Sequence, residues 1–129
     1  MILLDTQVVV WLALQPDLLS LAAGKAVRAA RAEDGVAISD KTLWEIAMMV
    51  SKRRIDVNGS MIEFLRAAEA ETLVLPIDSA IAERSMAFSP RFPKDPSDRI
   101  IAATALVHGI PLVTSDAAIR KSGEVPCIW

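Results

Sequence analysis

Four carboxylates stand where a folded chain could gather them. Asp5 ends Ile2-Leu3-Leu4-Asp5, and Glu45 lies inside Thr42-Leu43-Trp44-Glu45-Ile46-Ala47. Asp98 falls in the stretch KDPSDRIIAATAL, which begins at Lys94, and Asp116 follows Leu112-Val113-Thr114-Ser115. Carboxylates brought together without a cation repel one another. Hard divalent ions such as Mg2+ and Mn2+ prefer carboxylate and water oxygens, so a converged set would suit metal-assisted hydrolysis. Composition curtails other chemistries. His108 is the sole histidine and Cys127 the sole cysteine. That removes Ser-His-Asp and Cys-His catalysis unless His108 itself takes part, and it leaves no intrachain disulfide and no Cys-based zinc site. A Mg2+-dependent phosphatase would carry a nucleophilic Asp with a second acid two residues on, and Asp5-Thr6-Gln7 lacks it.

Each acid also has a plain structural reading. Asp5 and Asp116 could be N-caps closing strand-to-helix loops, worth about 1 kcal/mol each. Glu45 could complete a capping box with Thr42 or pair with Lys41. Asp95 followed by Pro96 makes an N-cap and first-turn pair, with Asp98 as the acid three residues in. For any one acid alone, structure is the commoner role. Their joint occurrence shifts the balance to chemistry. Glu45 stands out, because it interrupts an apolar stretch where a charge needs a partner. Asp78 also follows a strand-like run, but a third strand would lie at the sheet edge, so Asp78 is read as a cap. Within KDPSDRIIAATAL, Asp95 takes the structural role. Asp98 shares a helix face with Ala102 and Ala105, toward the sheet, and is aimed at the crevice.

The elements that would position these acids alternate along the chain. Strands are expected over 2–4, 36–39, 72–76, 111–114 and 126–128. Helices are expected over 7–14, 18–32, 41–52, 60–70 with Asn58 as cap, 79–87 and 117–121. Another, opened by Asp95-Pro96, runs to 108 with Gly109 as its C-cap. Strands separated by helices imply crossover connections. The fold class is therefore α/β: a three-layer α/β/α sandwich with a central parallel sheet, as a single domain over 1–129. In such a sheet the C-terminal strand ends lie along one edge, where distant residues converge at the topological switch point.

Hydrophobic residues make up 53% and charged residues 23% of 129, a globular composition far from disorder. The apolar share suggests a homo-oligomeric or partner-covered surface. A net charge of −2 argues against a protein that coats nucleic acid by general basicity. It leaves room for local patches at Arg91, Lys94 and Arg99, and at Lys52-Arg53-Arg54, although a basic helix end is also favoured by the dipole. Trp11, Trp44 and Trp129 lie in apolar runs and read as core or interface anchors rather than base-stacking platforms. The N-terminal run has no basic flank and is broken by Asp5, so it reads neither as a signal peptide nor as a membrane span, and the cytoplasm is the expected compartment.

MILLDT, TLWEIA, DPSDRIIAATAL and PLVTSD, in this order, resemble the PIN-domain ribonucleases, and within them the VapC toxins of bacterial type II toxin–antitoxin pairs. The likeness covers essentially the whole chain. It implies a sheet of order 3-2-1-4-5 and an acidic quartet of Asp5, Glu45, Asp98 and Asp116, with Thr6 and Thr114 at small hydroxyl positions lining the site. It further implies Mg2+- or Mn2+-dependent cleavage of RNA such as tRNA or rRNA, a homodimer, and silencing by a VapB-type antitoxin. An ion would be held by Asp5, Asp98 and Asp116, with Glu45 orienting or deprotonating the attacking water or completing the shell of a second ion. Arg99 would contact RNA or pair with a site acid. Arg53 departs from the family, which often has glycine there, and is expected to affect the helix end. The contrasting expectation is a catalytically silent PIN-like interaction module, which would have no reason to keep a self-repelling cluster.

Overall fold

Five short apolar runs pair as strands in the computed structural model, which describes residues 1–129. They are β1 (Ile2–Leu4), β2 (Val36–Ser39), β3 (Leu73–Leu75), β4 (Leu112–Val113) and β5 (Cys127–Ile128). All pairings are parallel and the order is β3-β2-β1-β4-β5, as expected. The chain therefore winds outward from β1 in one direction and returns to build β4 and β5 in the other. The switch point falls between β1 and β4.

Seven helices supply the crossovers: α1 (Thr6–Leu14), α2 (Leu21–Ala32), α3 (Asp40–Ser51), α4 (Met61–Glu71), α5 (Ser79–Ser85), α6 (Pro96–His108) and α7 (Ala117–Ser122). Strand side chains alternate between faces, and two cores result. Leu3, Ala37, Leu75 and Leu112 pack with Ile81, Ile101 and Ile119 from α5, α6 and α7. Ile2, Leu4, Val36, Ile38 and Val113 pack with Val8, Val27 and Ile46 from α1, α2 and α3. Burying apolar surface on both faces at ~25 cal/mol per Å² is the main force holding the three layers together. Ala102, Ala103 and Ala105 are fully buried, so α6 settles close against its neighbours.

Caps decide where helices start, and four starts differ from expectation, the first being α1, which Asp5 caps so that it begins at Thr6 and not at 7. Ser20 accepts the Ala23 N–H at 3.1 Å, so α2 begins at Leu21 and not at 18, and Pro16–Leu18 forms a separate 3-10 turn. Ser60, not Asn58, caps α4, accepting the Glu63 N–H at 3.2 Å. Ser39 caps α3 one residue earlier than expected. Asp78 caps α5, and Gly109 ends α6 with φ +63°, both as expected. Arg53 ends α3 in the left-handed region at φ +56°, with its N–H donating to Val50 O and that of Arg54 to Met49 O. A side chain there costs about 1 kcal/mol that glycine would not. The departure at Arg53 thus acts on the helix end. No helix is long and apolar enough to cross a membrane.

Candidate active site

Asp5 and Asp116 are helix caps and crevice residues at once. Asp5 follows β1 as the N-cap of α1, and its Oδ1 accepts the Thr6 N–H at 2.9 Å. Its other oxygen, Oδ2, accepts the Thr114 hydroxyl at 2.6 Å, across the β1–β4 junction. Asp116 caps α7 through the Ile119 N–H at 3.0 Å, while its own N–H donates to Thr114 Oγ1 at 3.1 Å. Thr114, fully buried, therefore ties the two acid-bearing loops together. Capping leaves the second oxygen of each carboxylate open to other partners, because a carboxylate has lone pairs enough for both.

Glu45 enters from α3. Its partner is not Lys41, whose Nζ lies 4.0 Å from the centroid of the Trp44 ring. Glu45 Oε1 instead accepts the Thr6 hydroxyl at 2.6 Å, and Thr6 Oγ1 lies 3.0 Å from Thr42 Oγ1. Nor does Thr42 form a capping box with Glu45, since Ser39 holds the cap of α3. The buried hydroxyl of Thr42 was missed as a site residue. Its signal is the spacing of three to Glu45, which puts both on one helix face.

Asp95 and Asp98 divide as the sequence suggests, with one addition. Asp95 Oδ1 accepts the N–H groups of Ser97 (2.8 Å) and Asp98 (3.3 Å), starting α6 at Pro96. The Asp98 carboxylate accepts no hydrogen bond from the chain and stands half-buried in the field of its neighbours. Burial, then the charges of Asp5, Asp95, Asp116 and Glu45, push its pKa up to about 7. Burial likewise raises Asp5 against the opposing Thr114 and Thr6 bonds, with Asp116 and Asp95 adding repulsion. Glu45 is raised chiefly by burial, partly offset by Thr6, and again by Asp5 and Asp95. Asp95 is therefore more than a cap, because its charge reaches all three.

Two ion pairs occur in the chain, Met1 with Asp34 and Arg31 with Glu71, and neither involves these acids. Four oxygen donors sharing a negative field without a protein cation fit a hard divalent ion in donor chemistry. As the side chains stand, no three acidic, His or Cys groups are grouped tightly enough to hold one ion. Chelation needs rotation, and Asp98 is the acid free to make it.

Arg99 pairs with no site acid. Its Nε donates to Pro93 O at 2.9 Å and its Nη2 to Phe92 O at 3.4 Å, so the guanidinium pins the loop that leads into α6. Lys52, Arg53, Arg54, Arg91 and Lys94 are exposed. Trp11 and Trp129 pack on each other at 5.8 Å between centroids, whereas Trp44 is exposed, against a core role. A separate groove of about 400 Å3 opens between α1, α2 and α4, lined by Val9, Leu12, Phe64 and Ala67 with Arg31 and Glu71 at hand.

A parallel sheet of order 3-2-1-4-5 with acids along its carboxyl edge defines an α/β/α protein of PIN type. The chain belongs to the PIN-domain family, whose model matches residues 2–124. It is 33% identical over 120 residues to Ribonuclease VapC22 of Mycobacterium tuberculosis, covering 93% of this chain and 90% of that one. Among solved structures, a toxin–antitoxin complex from Klebsiella pneumoniae is 26% identical, with TM-score 0.63 over 90% of this chain and 87% of the other. VapBC2 from Rickettsia felis, bound to a DNA fragment from its promoter, shares the fold at TM-score 0.75 and 16% identity, over 98% and 97% of the two chains.

Proposed function

We propose that this chain is a Mg2+- or Mn2+-dependent endoribonuclease, the toxin of a VapBC-type toxin–antitoxin pair, acting in the cytoplasm as a single PIN domain over 1–129. The observation that carries the reading is the convergence of Asp5, Glu45, Asp98 and Asp116 on the carboxyl edge of the sheet with no protein cation among them. The likeness to a relative named as a ribonuclease supports the reaction.

Asp5, Asp98 and Asp116 would hold the ion. When bound, it supplies Lewis acidity to the scissile phosphate and lowers the pKa of water. With Oε1 held by Thr6, Glu45 would take the proton of the attacking water on Oε2, and burial, by raising its pKa, makes it a stronger base than an ordinary carboxylate. Thr114 would keep Asp5 and Asp116 in register. RNA phosphates would meet the exposed Lys52, Arg53, Arg54, Arg91 and Lys94, because phosphate contacts supply most of the affinity. Arg99 is left out, because its Nε and Nη2 are turned to the loop carbonyls of Pro93 and Phe92.

The partner is a VapB-type antitoxin, supported by the toxin–antitoxin complex among the similar structures. The apolar groove between α1, α2 and α4 is suited to an apolar segment of such a partner. Exposed Leu21, Trp44 and Met86 support a further covered surface, consistent with a homodimer.

The test is RNA cleavage by the purified chain with Mg2+ or Mn2+, against EDTA, comparing wild type with Asp98→Asn and Asp95→Ala. Cleavage should need the ion and Asp98, while Asp95→Ala should keep substantial activity. A folded, fully active Asp98→Asn variant would overturn the mechanism.

A further inference from the structure

We infer that Thr42 is a positioning residue for the proposed reaction: it donates its hydroxyl proton to Thr6, so that the single proton of Thr6 is directed at Glu45. This rests on the nuclease reading above, but the hydrogen bonds themselves do not.

The direction follows from counting protons. Thr6 Oγ1 is 2.6 Å from Glu45 Oε1 and 3.0 Å from Thr42 Oγ1. An ionised carboxylate can only accept, so Thr6 donates to Glu45. A hydroxyl has one proton, and Thr6 has none left for Thr42. The bond between the two threonines is then donated by Thr42. The alternatives usually open to a helical threonine are not taken. Thr72 and Thr104 return their hydroxyls to the carbonyl four residues back, each at 2.7 Å. Thr42 makes no such bond, and its one side-chain hydrogen bond is to Thr6.

Thr42 and Thr6 are buried, Thr42 completely. A hydroxyl at such a position costs stability against valine of the same shape unless it is satisfied. Placed in α3, one turn before Glu45, it links α3 to the first residue of α1. It also removes a freedom that Thr6 would otherwise have, that of turning its proton away from the carboxylate. A parallel arrangement serves the other acids: the Asp116 N–H donates to Thr114, and Thr114 donates to Asp5. Each deep acid is thus approached by a threonine whose own oxygen is occupied by a donor behind it.

The experiment compares wild type, Thr42→Val and Thr42→Ser for kcat and KM of RNA cleavage, with thermal melts of each. The side-chain hydroxyl proton of Thr6 is followed by NMR in the metal-free protein. Thr42→Val should lower kcat about tenfold, the scale of outer-contact losses at such sites, with KM within about twofold. Thr42→Ser should restore kcat, and Thr42→Val should add nothing to Glu45→Gln, since both act through one group. The Thr6 hydroxyl resonance should be protected in wild type and Thr42→Ser and lost in Thr42→Val. A merely structural threonine would change the melt and leave kcat and the resonance alone, and that result overturns the proposal. If wild type cleaves no RNA, the nuclease reading fails and the resonance alone decides the relay. If Thr42→Val does not fold, Thr42→Ala takes its place.

Discussion

Replacing Asp98 by Asn should stabilise the metal-free protein while abolishing cleavage. Asp98 carries a pKa of about 7 against an ordinary 3.8, because burial and four nearby carboxylates disfavour its charge. That gap would amount to about 4 kcal/mol for a fully shielded group. Asp98 is half-exposed, and solvent screening brings this to about 1–2 kcal/mol. Asn also loses the favourable dipole interaction of an acid in the first turn of α6, about 0.5 kcal/mol. The net gain is about 1 kcal/mol, or roughly 3–5 °C in melting temperature for a chain of this size. The sign with pH is definite. A raised carboxyl pKa means that the folded chain binds more protons than the unfolded one between about pH 4 and 7. Wild-type stability therefore contains a component that falls as pH rises through that window and levels off above it. Asn has no such component. Melts in EDTA at pH 7.5 and 5.0 should show Asp98→Asn ahead at the higher pH and the lead shrinking at the lower. Added Mg2+ should then raise wild type more than the variant. An Asn variant that melts at or below wild type at pH 7.5 would show that Asp98 is not held under repulsion, and the metal argument would lose its base.

Arg53→Gly should stabilise by about 0.5–1 kcal/mol in urea denaturation, because glycine adopts the φ of +56° without strain. Ala102→Leu should cost about 1–3 kcal/mol in the same measurement, since α6 has no room for a larger side chain at a fully buried alanine. Thr114→Val should cost about 1–3 kcal/mol and much of kcat together, by orphaning the Asp116 N–H and freeing the Asp5 carboxylate. At limiting Mg2+, RNA cleavage should fall as pH drops below about 7, where Asp98 takes up a proton and ceases to be a ligand.

The layer count was legible because short apolar runs alternating with helical patterns are a local signal with little competition, whereas the sheet order came from the family resemblance, since no local pattern says which strands pair. The β-branched runs have no other element to form, and Asp95-Pro96 and Gly109 punctuate α6 without a rival. Helix starts failed where caps competed: Asn58 against Ser60, and Pro16-Asp17-Leu18 against Ser20. The partner of Glu45 was not legible either. Lys41 is the near cation in sequence, yet its flexible chain found the face of Trp44 three residues on. The true partner, Thr6, is 39 residues away and meets Glu45 only once α1 and α3 lie side by side. Arg99 looked available for RNA, but the carbonyls that engage it belong to a loop whose path no pattern reveals. The reach of Asp95 into the crevice is a matter of distance alone.

The hydrogen bond between Thr114 and Asp5 joins residues 109 apart in sequence. Ribosomes add about 5–20 residues per second, so about 5–20 s separate the synthesis of these two side chains. During that interval β1 has no β4 beside it, Asp5 lacks its hydroxyl partner, and Asp116 does not yet exist. The site of the proposed nuclease is therefore assembled late, only after β4 has been made and has paired with β1.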